Sequence, residues 1–283
     1  MVAINSKRSG CIVQEINQTL TEPAFFKGFV HAPNPEIKRT KYPAIMIVPG
    51  GSYTHIPEHQ AEDLALAFFA RGFQAFYLRY HFIGEKTPLL PSPVYDLGQA
   101  LANIRDHTAE WAVDPSQIAV AGFSVGGQVV SLYDTMRSED SFAKDSGIAE
   151  PVKPKAVILG YSVTRLDDNF PPQDKIPMHQ LTDDVPSTDA RNHNVAQASP
   201  TFIWNTVTDN VISPLNSLDY ATSLVKNNVS VELHTFVEGP HGLALSNVLT
   251  AWRPGTDLPH VAHWVPLALE WLRYLGIDTI PVN

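Results

Sequence analysis

The sequence predicts an α/β fold, with a mostly parallel central sheet and helices on both faces. Short apolar runs rich in β-branched residues alternate with longer helical patterns from about residue 44 onward. Such alternation is typical of parallel sheets, in which a crossover helix follows each strand. Most runs are apolar at nearly every position, as expected of strands that are covered on both faces. The length of 283 residues suits one large domain, so we expect a single domain over residues 1–283.

Six apolar runs predict the main strands: AIMIV (44–48), QAFYL (74–78), IAVAG (118–122), AVILG (156–160), TFIWN (201–205) and VELHTF (231–236). Upstream of them, CIVQEI and FKGFVHAP predict two antiparallel strands at a sheet edge. Helical patterns cover residues 59–71, 94–107, 126–136, 214–226 and 259–275. Residues 163–200 interrupt the alternation with several prolines and many Asp and Asn residues. We expect this insertion to be irregular and to form a partial cap or lid.

The composition narrows the range of partners. The chain has 20 Lys and Arg against 29 Asp and Glu, a formal charge of −9, and no basic stripe. We therefore expect no nucleic acid or membrane partner and favour a small, uncharged substrate. The single cysteine, Cys11, allows no internal disulfide, and RSGC lacks the upstream apolar segment of a lipoprotein signal. No stretch reaches the roughly 18 apolar residues of a membrane span, so the default expectation is a cytoplasmic protein.

The stretch GFSVG, residues 122–126, predicts a nucleophile. It matches G-x-S-x-G between a predicted strand and a predicted helix, where the serine of a nucleophile elbow lies in a sharp, strained turn. The flanking positions must then be small, which the glycines satisfy. Ser124 is therefore the candidate nucleophile. The alternative is a glycine-rich turn that merely packs a helix close to a strand.

A serine nucleophile needs a base, and the base needs an acid that orients it. In folds with this elbow the chain order is Ser, then Asp or Glu, then His, each in a loop after a strand. Asp209 follows the strand at 201–205 and His241 follows the strand at 231–236. Taken alone, Asp209 could be a turn or cap residue and His241 an ordinary loop histidine, but the order favours a triad.

Several other residues are less suitable as the acid or the base. The insertion contains Asp183, Asp184 and Asp189, and Asp257 follows His241 in the chain. His234 lies within a predicted strand, and His260 and His263 begin the last predicted helix.

Backbone donors for an oxyanion are predicted after the first parallel strand. There, PGGSY places Gly51 and Ser52 where their N–H groups could join that of Val125. The alternative is a turn that needs a positive φ at Gly50 or Gly51.

A zinc motif competes for residues 55–59. HIPEH formally matches H-x-x-E-H, which needs both histidines on one continuous helix. Pro57 stands between His55 and His59, and proline disrupts a helix interior by about 3 kcal/mol. We therefore expect Pro57 to open a helix, with His55 in the preceding loop. No metal and no organic cofactor is expected.

The chain resembles the α/β-hydrolase superfamily, more narrowly its bacterial carboxylesterase and acetyl-xylan-esterase-like branch, which is related to the hormone-sensitive-lipase-like esterases. The resemblance lies in YPAIMIVPGGSY, ALAFFARGFQAFYLRY, WAVDPSQIAVAGFSVGG, TVTDNVISP and GPHGLAL. It implies an α/β-hydrolase fold and the same site residues: Ser124, His241 and Asp209, with oxyanion donors at Gly51, Ser52 and Val125.

The chain departs from its relatives at three places. Residues 49–52 read PGGS where the lipase-like relatives have HGGG, and the usual proline after the acid is displaced to Pro214. Prolyl-peptidase relatives commonly carry tyrosine after the nucleophile, where this chain has Val125.

These features predict a serine carboxylesterase that acts on short, acetyl-type esters, with a sugar, phenol or simple alcohol as the other part. The short acyl group is expected because the insertion is polar and proline-rich. A peptidase or amidase with the same triad, or a catalytically silent binding protein, remains an alternative. The last helix carries more apolar residues than one face needs, which leaves a homo-oligomer open, although packing on the sheet would explain them.

Overall fold

Among the residues that the structure describes, eight strands form one sheet in the order β1-β2-β4-β3-β5-β6-β7-β8. The computed structural model describes residues 13–34, 36, 38–166, 170–172 and 174–279; Cys11 lies outside them. The strands are β1 Val13–Thr19, β2 Phe25–His31, β3 Tyr42–Val48, β4 Gln74–Arg79, β5 Val113–Phe123, β6 Ala156–Gly160, β7 Thr201–Thr206 and β8 Val231–Phe236. Strands β3 to β8 are parallel, whereas β2 runs antiparallel to both β1 and β4. The mostly parallel sheet and the antiparallel pair at its edge are therefore confirmed.

Helices cover both faces of this sheet. They are α1 Glu58–Phe69, α2 Ser92–Asp106, α3 Val125–Met136, α4 Asp140–Ser146, α5 Met178–Leu181, α6 Leu215–Lys226, α7 Pro259–Ala262 and α8 Trp264–Tyr274. Strand β3 shows the two faces, because Met46 packs in the cluster that contains α2, α3 and α6, while Ile45 and Ile47 pack with α1 and α8. Alternate residues of a strand point to opposite faces, so a strand buried on both faces must be apolar throughout.

The last helix differs from its prediction. The sequence pattern predicts one helix over 259–275, but the structure has α7 and α8, separated at His263. Pro266 explains the break, because proline has no N–H to donate to the Ala262 carbonyl. The apolar side chains Trp264, Leu269 and Leu272 are buried against the sheet, so they give no separate indication of a homo-oligomer. No helix in the described part of the chain is long and apolar enough to cross a bilayer.

The described part of the insertion at 163–200 packs against the neighbouring helices and loops. Besides α5 this part contains three short 3-10 turns, at 186–188, 190–192 and 195–197. Its backbone is tied to the neighbouring elements: Leu90 N–H donates to the Leu181 carbonyl at 2.8 Å, and the Gln128 side-chain amide donates to the Thr188 carbonyl at 2.9 Å. Its apolar side chains join the core, among them Val163, Leu166, Phe170, Ile176, Leu181, Ala190 and Val195. A role as a cap or lid stays a prediction.

Candidate active site

Ser124 occupies a strained turn between β5 and α3. Its backbone has φ +54° and ψ −125°, a conformation that non-glycine residues rarely adopt. Three hydrogen bonds hold it: Ser124 N–H donates to the Gly160 carbonyl at 3.1 Å, and the Ser124 carbonyl accepts from the N–H groups of Gly127 and Val163 at 3.0 Å. The hydroxyl is thereby presented at the carboxyl end of the parallel strands, where the loops of an open α/β sheet meet.

The neighbouring glycines are required by close backbone approach. A Cβ on Gly126 would collide with the carbonyl oxygens of Val48 and Pro49. A Cβ on Gly50 would lie 2.8 Å from the Ser124 Cβ. The turn that carries Ser124 and the loop that follows β3 are therefore in direct contact, with no room for a side chain between them.

The structure brings Ser124, His241 and Asp209 together in one chain of hydrogen bonds. The Ser124 Oγ lies 2.8 Å from His241 Nε2, and His241 Nδ1 lies 2.7 Å from Asp209 Oδ2. A carboxylate only accepts, so Nδ1 carries the imidazole proton. Nε2 is then the acceptor for the Ser124 hydroxyl. This is the tautomer in which the imidazole is ready to take a proton from serine.

The Asp209 carboxylate is fixed from two sides. Its Oδ1 accepts from the N–H groups of Val211 and Ile212, at 2.9 and 3.0 Å, and the side chain is only 1% exposed. The displaced proline is compatible with this loop, because Pro214 comes after both donors and directly precedes α6.

The loops after β7 and β8 are also tied to each other. The Thr206 hydroxyl donates to the Gly239 carbonyl at 2.7 Å, and Gly239 N–H donates to Thr208 Oγ1 at 2.9 Å. Because Asp209 and His241 belong to these two loops, the bonds maintain the distance between carboxylate and imidazole.

The rival residues lie elsewhere. His234 is on β8 and bonds to Glu232 at 2.8 Å, and Asp189 pairs with Arg191 at 2.6 Å. Asp257, His260 and His263 are exposed, and Asp183 and Asp184 lie in exposed parts of the insertion.

The loop after β3 presents unused backbone donors next to Ser124. Three consecutive residues have positive φ: Gly51 at +119°, Ser52 at +55° and Tyr53 at +61°. The N–H groups of Gly51, Ser52 and Val125 donate to no backbone acceptor in the part of the chain that the structure describes. The loop therefore combines the two features that the sequence leaves open as alternatives. It is a turn with positive φ, and it also has free N–H donors.

Two buried tyrosines, which the sequence patterns do not single out, hold that loop in place. The Tyr53 hydroxyl donates to Gln128 Oε1 at 2.9 Å, and the Tyr80 hydroxyl donates to the Pro49 carbonyl at 2.9 Å. Tyr80 follows directly after β4. A tyrosine at the end of a buried strand, on the edge of the sheet where the site lies, is the sequence signal that could have indicated this role.

For the ester hydrolysis that the sequence predicts, we expect Tyr80→Phe to lower kcat by roughly tenfold and to leave KM little changed. The phenylalanine keeps the packing but removes the donor to Pro49, so the loop holds its N–H groups less firmly; one lost oxyanion donor costs about 3 kcal/mol, and a misplaced one less. Steady-state kinetics with the melting temperature as control would test this. A rise in KM at constant kcat would contradict it.

Tyr161 packs against the His241 imidazole, and the sequence patterns do not single it out either. It follows β6 with φ +39°, its ring meets the His241 ring edge-on at 5.0 Å, and its hydroxyl accepts from Ala244 N–H at 3.1 Å. Burial raises the pKa of this hydroxyl, so it remains a neutral group beside His241. Contact between residues this far apart in the chain leaves no mark in the sequence pattern.

The zinc-like motif is split by the start of a helix. Helix α1 begins at Glu58, directly after Pro57, so His55 lies in the loop and His59 in the first turn. Among the described residues, no three His, Cys, Asp or Glu side chains are grouped so that they could hold a metal ion.

The BD-FAE family model matches residues 32–224. Endo-1,4-beta-xylanase B of Butyrivibrio fibrisolvens is 27% identical over 247 residues, which is 80% of this chain but 36% of that protein. The chain thus spans little more than a third of this curated relative.

Two solved structures cover nearly the whole chain. The carboxylesterase Cest-2923 from Lactobacillus plantarum WCFS1 has a TM-score of 0.86 at 28% identity, covering 96% of this chain and 99% of that one. The acetyl ester-xyloside bifunctional hydrolase from Caldicellulosiruptor lactoaceticus has a TM-score of 0.74 at 27% identity, covering 90% and 89%. These similarities confirm the predicted α/β-hydrolase fold and the resemblance to bacterial esterases.

Proposed function

Because this chain belongs to the BD-FAE family, we propose that it is a serine carboxylesterase that hydrolyses short, acetyl-type esters. The observation that carries the proposal is the hydrogen-bonded series from Ser124 through His241 to Asp209, at 2.8 and 2.7 Å. A hydroxyl, an imidazole and a carboxylate in this order form the machinery of acyl transfer through a covalent intermediate.

In the proposed reaction, His241 Nε2 takes the proton of Ser124 as the Oγ attacks the ester carbonyl carbon. The carbonyl oxygen becomes an oxyanion and accepts hydrogen bonds from the backbone of Gly51, Ser52 and Val125. Each such donor stabilises the transition state by about 3 kcal/mol. The imidazolium then gives its proton to the departing alcohol oxygen, and an acyl-serine remains. A water then gives a proton to the same imidazole and attacks the acyl carbon. The bond from that carbon to Ser124 Oγ breaks, the imidazolium returns the proton to Oγ, and the free acid leaves.

The short acyl group is supported by the way the insertion packs. A lid that shelters a fatty chain exposes apolar side chains toward the site. In the described part of the insertion, most large apolar side chains belong to the core, and Val185 is the one that is exposed. Two similar proteins, the xylanase of Butyrivibrio fibrisolvens and the acetyl ester-xyloside hydrolase of Caldicellulosiruptor lactoaceticus, support a sugar or xylan fragment as the alcohol part.

Hydrolysis of p-nitrophenyl esters from acetate to dodecanoate, beside p-nitroacetanilide as the matched amide, tests this proposal. We expect kcat/KM to be highest for acetate or butyrate and to fall by more than about tenfold for the longest chain, which has no apolar site to enter. Faster turnover of the long esters would refute the acetyl preference. Faster turnover of the amide would favour a peptidase or amidase, and inertness toward all of them would favour a binding protein.

A further inference from the structure

Trp252 differs from the other tryptophans of this chain. Trp252 is 57% exposed, whereas the other four tryptophans are buried: Trp111, Trp204, Trp264 and Trp271. A single exposed apolar side chain on a protein surface needs no explanation by itself. Trp252 calls for one because it is held rigidly and because it contacts the residue that follows His241.

The indole is held at one edge and on one face. Its Nε1–H donates to the Gly242 carbonyl at 3.1 Å, and this edge of the ring packs against the Gly242 backbone. The Arg253 guanidinium lies over the ring, 4.4 Å from its centroid. The ring is therefore restrained at that edge and on that face, and it needs little reorganisation before it contacts a ligand.

The loop that carries Trp252 is anchored to both sides of the site. The buried Thr250 accepts from Leu245 N–H at 3.1 Å through its hydroxyl, which ties it to the His241 loop. Its carbonyl accepts from the Gln60 side-chain amide at 2.7 Å, which ties it to α1, the helix that comes after the loop following β3. Trp252 thus lies where the His241 loop meets the start of α1.

The proposed reaction determines which part of the ester lies on the His241 side of the site. His241 Nε2 must protonate the departing alcohol oxygen, so this oxygen comes within hydrogen-bond distance of Nε2. The group attached to that oxygen then lies beside the His241 ring. The acyl carbonyl oxygen is instead directed to the N–H groups around Ser52. Because Trp252 bonds to Gly242, the residue next to His241, we assign it to the alcohol side of the ester.

We propose that Trp252 binds a sugar ring of the alcohol part and so gives the enzyme its preference for acetylated saccharides. A pyranose presents a flat apolar face of C–H groups and a rim of hydroxyls. The indole provides an apolar plane for this face, on the side of the ring that the Arg253 guanidinium does not cover. The alkyl group of a small alcohol such as ethanol is too small to cover that plane. The inference rests on the proposed function, since it assigns the alcohol side from the role of His241.

The test compares Trp252→Ala and Trp252→Phe with wild type on acetylated xylobiose and on ethyl acetate. We expect Trp252→Ala to lower kcat/KM for the sugar ester about tenfold more than for ethyl acetate, mainly through KM, and Trp252→Phe to recover part of the difference. Leu249→Ala, an exposed apolar residue of the same loop, is the matched control and should not change the ratio. Equal losses on both esters, or none on the sugar ester, would overturn the inference.

Quenching of tryptophan fluorescence by acrylamide gives a readout that does not depend on turnover. In a Ser124→Ala background, acetylated xylobiose should protect the exposed indole, and the protection should disappear with Trp252→Phe. Absence of protection would also overturn the inference. The role of Trp252 and the proposed function can fail separately. Ser124-dependent hydrolysis of ethyl acetate without any effect of Trp252 substitutions would refute only the role of Trp252. A lack of Ser124-dependent hydrolysis would refute the proposed function.

Discussion

Ser124→Ala is expected to lower kcat for p-nitrophenyl acetate by about 10⁵- to 10⁶-fold, the loss seen when a serine nucleophile is removed from a triad. The substitution removes one oxygen from a buried side chain, so the fold and the free N–H donors around it should persist. Without the Oγ no acyl-enzyme forms, and only the donors and the binding site can still accelerate direct attack by water.

Initial rates on purified protein, with melting temperature as the check on folding, would measure this loss. Ser131→Ala is a suitable control, since Ser131 is a buried serine of α3, the helix that follows Ser124. Its hydroxyl donates to the Gln128 carbonyl and does not contact His241. Retention of more than about one per cent of the wild-type rate by Ser124→Ala would show that another group is the nucleophile.

Asp209→Asn is expected to lower kcat by about 10⁴-fold with little loss of stability. The reason lies in the hydrogen bonds at each end of the side chain. Val211 and Ile212 both donate N–H groups to Oδ1, so the amide oxygen of the substituted side chain must take that place. The amide NH₂ then faces His241 Nδ1, which becomes an acceptor. The imidazole proton moves to Nε2, and His241 no longer accepts the proton of Ser124.

Stopped reactions or continuous assays over a range of pH would measure this effect. Asp257→Asn is the matched control, because Asp257 is exposed and follows His241 in the chain. A loss of less than about tenfold for Asp209→Asn would contradict the role of Asp209 in orienting the imidazole.

Much of the sheet could be read from local patterns because burial on both faces imposes an apolar residue at every position of a strand. All six predicted main strands are present, and β6 and β8 have the predicted bounds. The helices were less exact. The predicted last helix is divided into α7 and α8, because Pro266 has no N–H to donate to the carbonyl of the preceding turn. The short helices α4 and α5 carry too few residues for a periodic pattern.

The sequence by itself determined the identities and the order of the candidate site residues. Ser124, Asp209 and His241 each follow a strand, and parallel strands end at the same edge of the sheet, so their proximity follows from the chain order. Only the tertiary structure decided which groups support them. The hydroxyl of Tyr80 on the loop after β3, the ring of Tyr161 against His241 and the indole of Trp252 at Gly242 are contacts between distant segments. Such contacts depend on how loops pack once the sheet has formed, and no local periodicity records them.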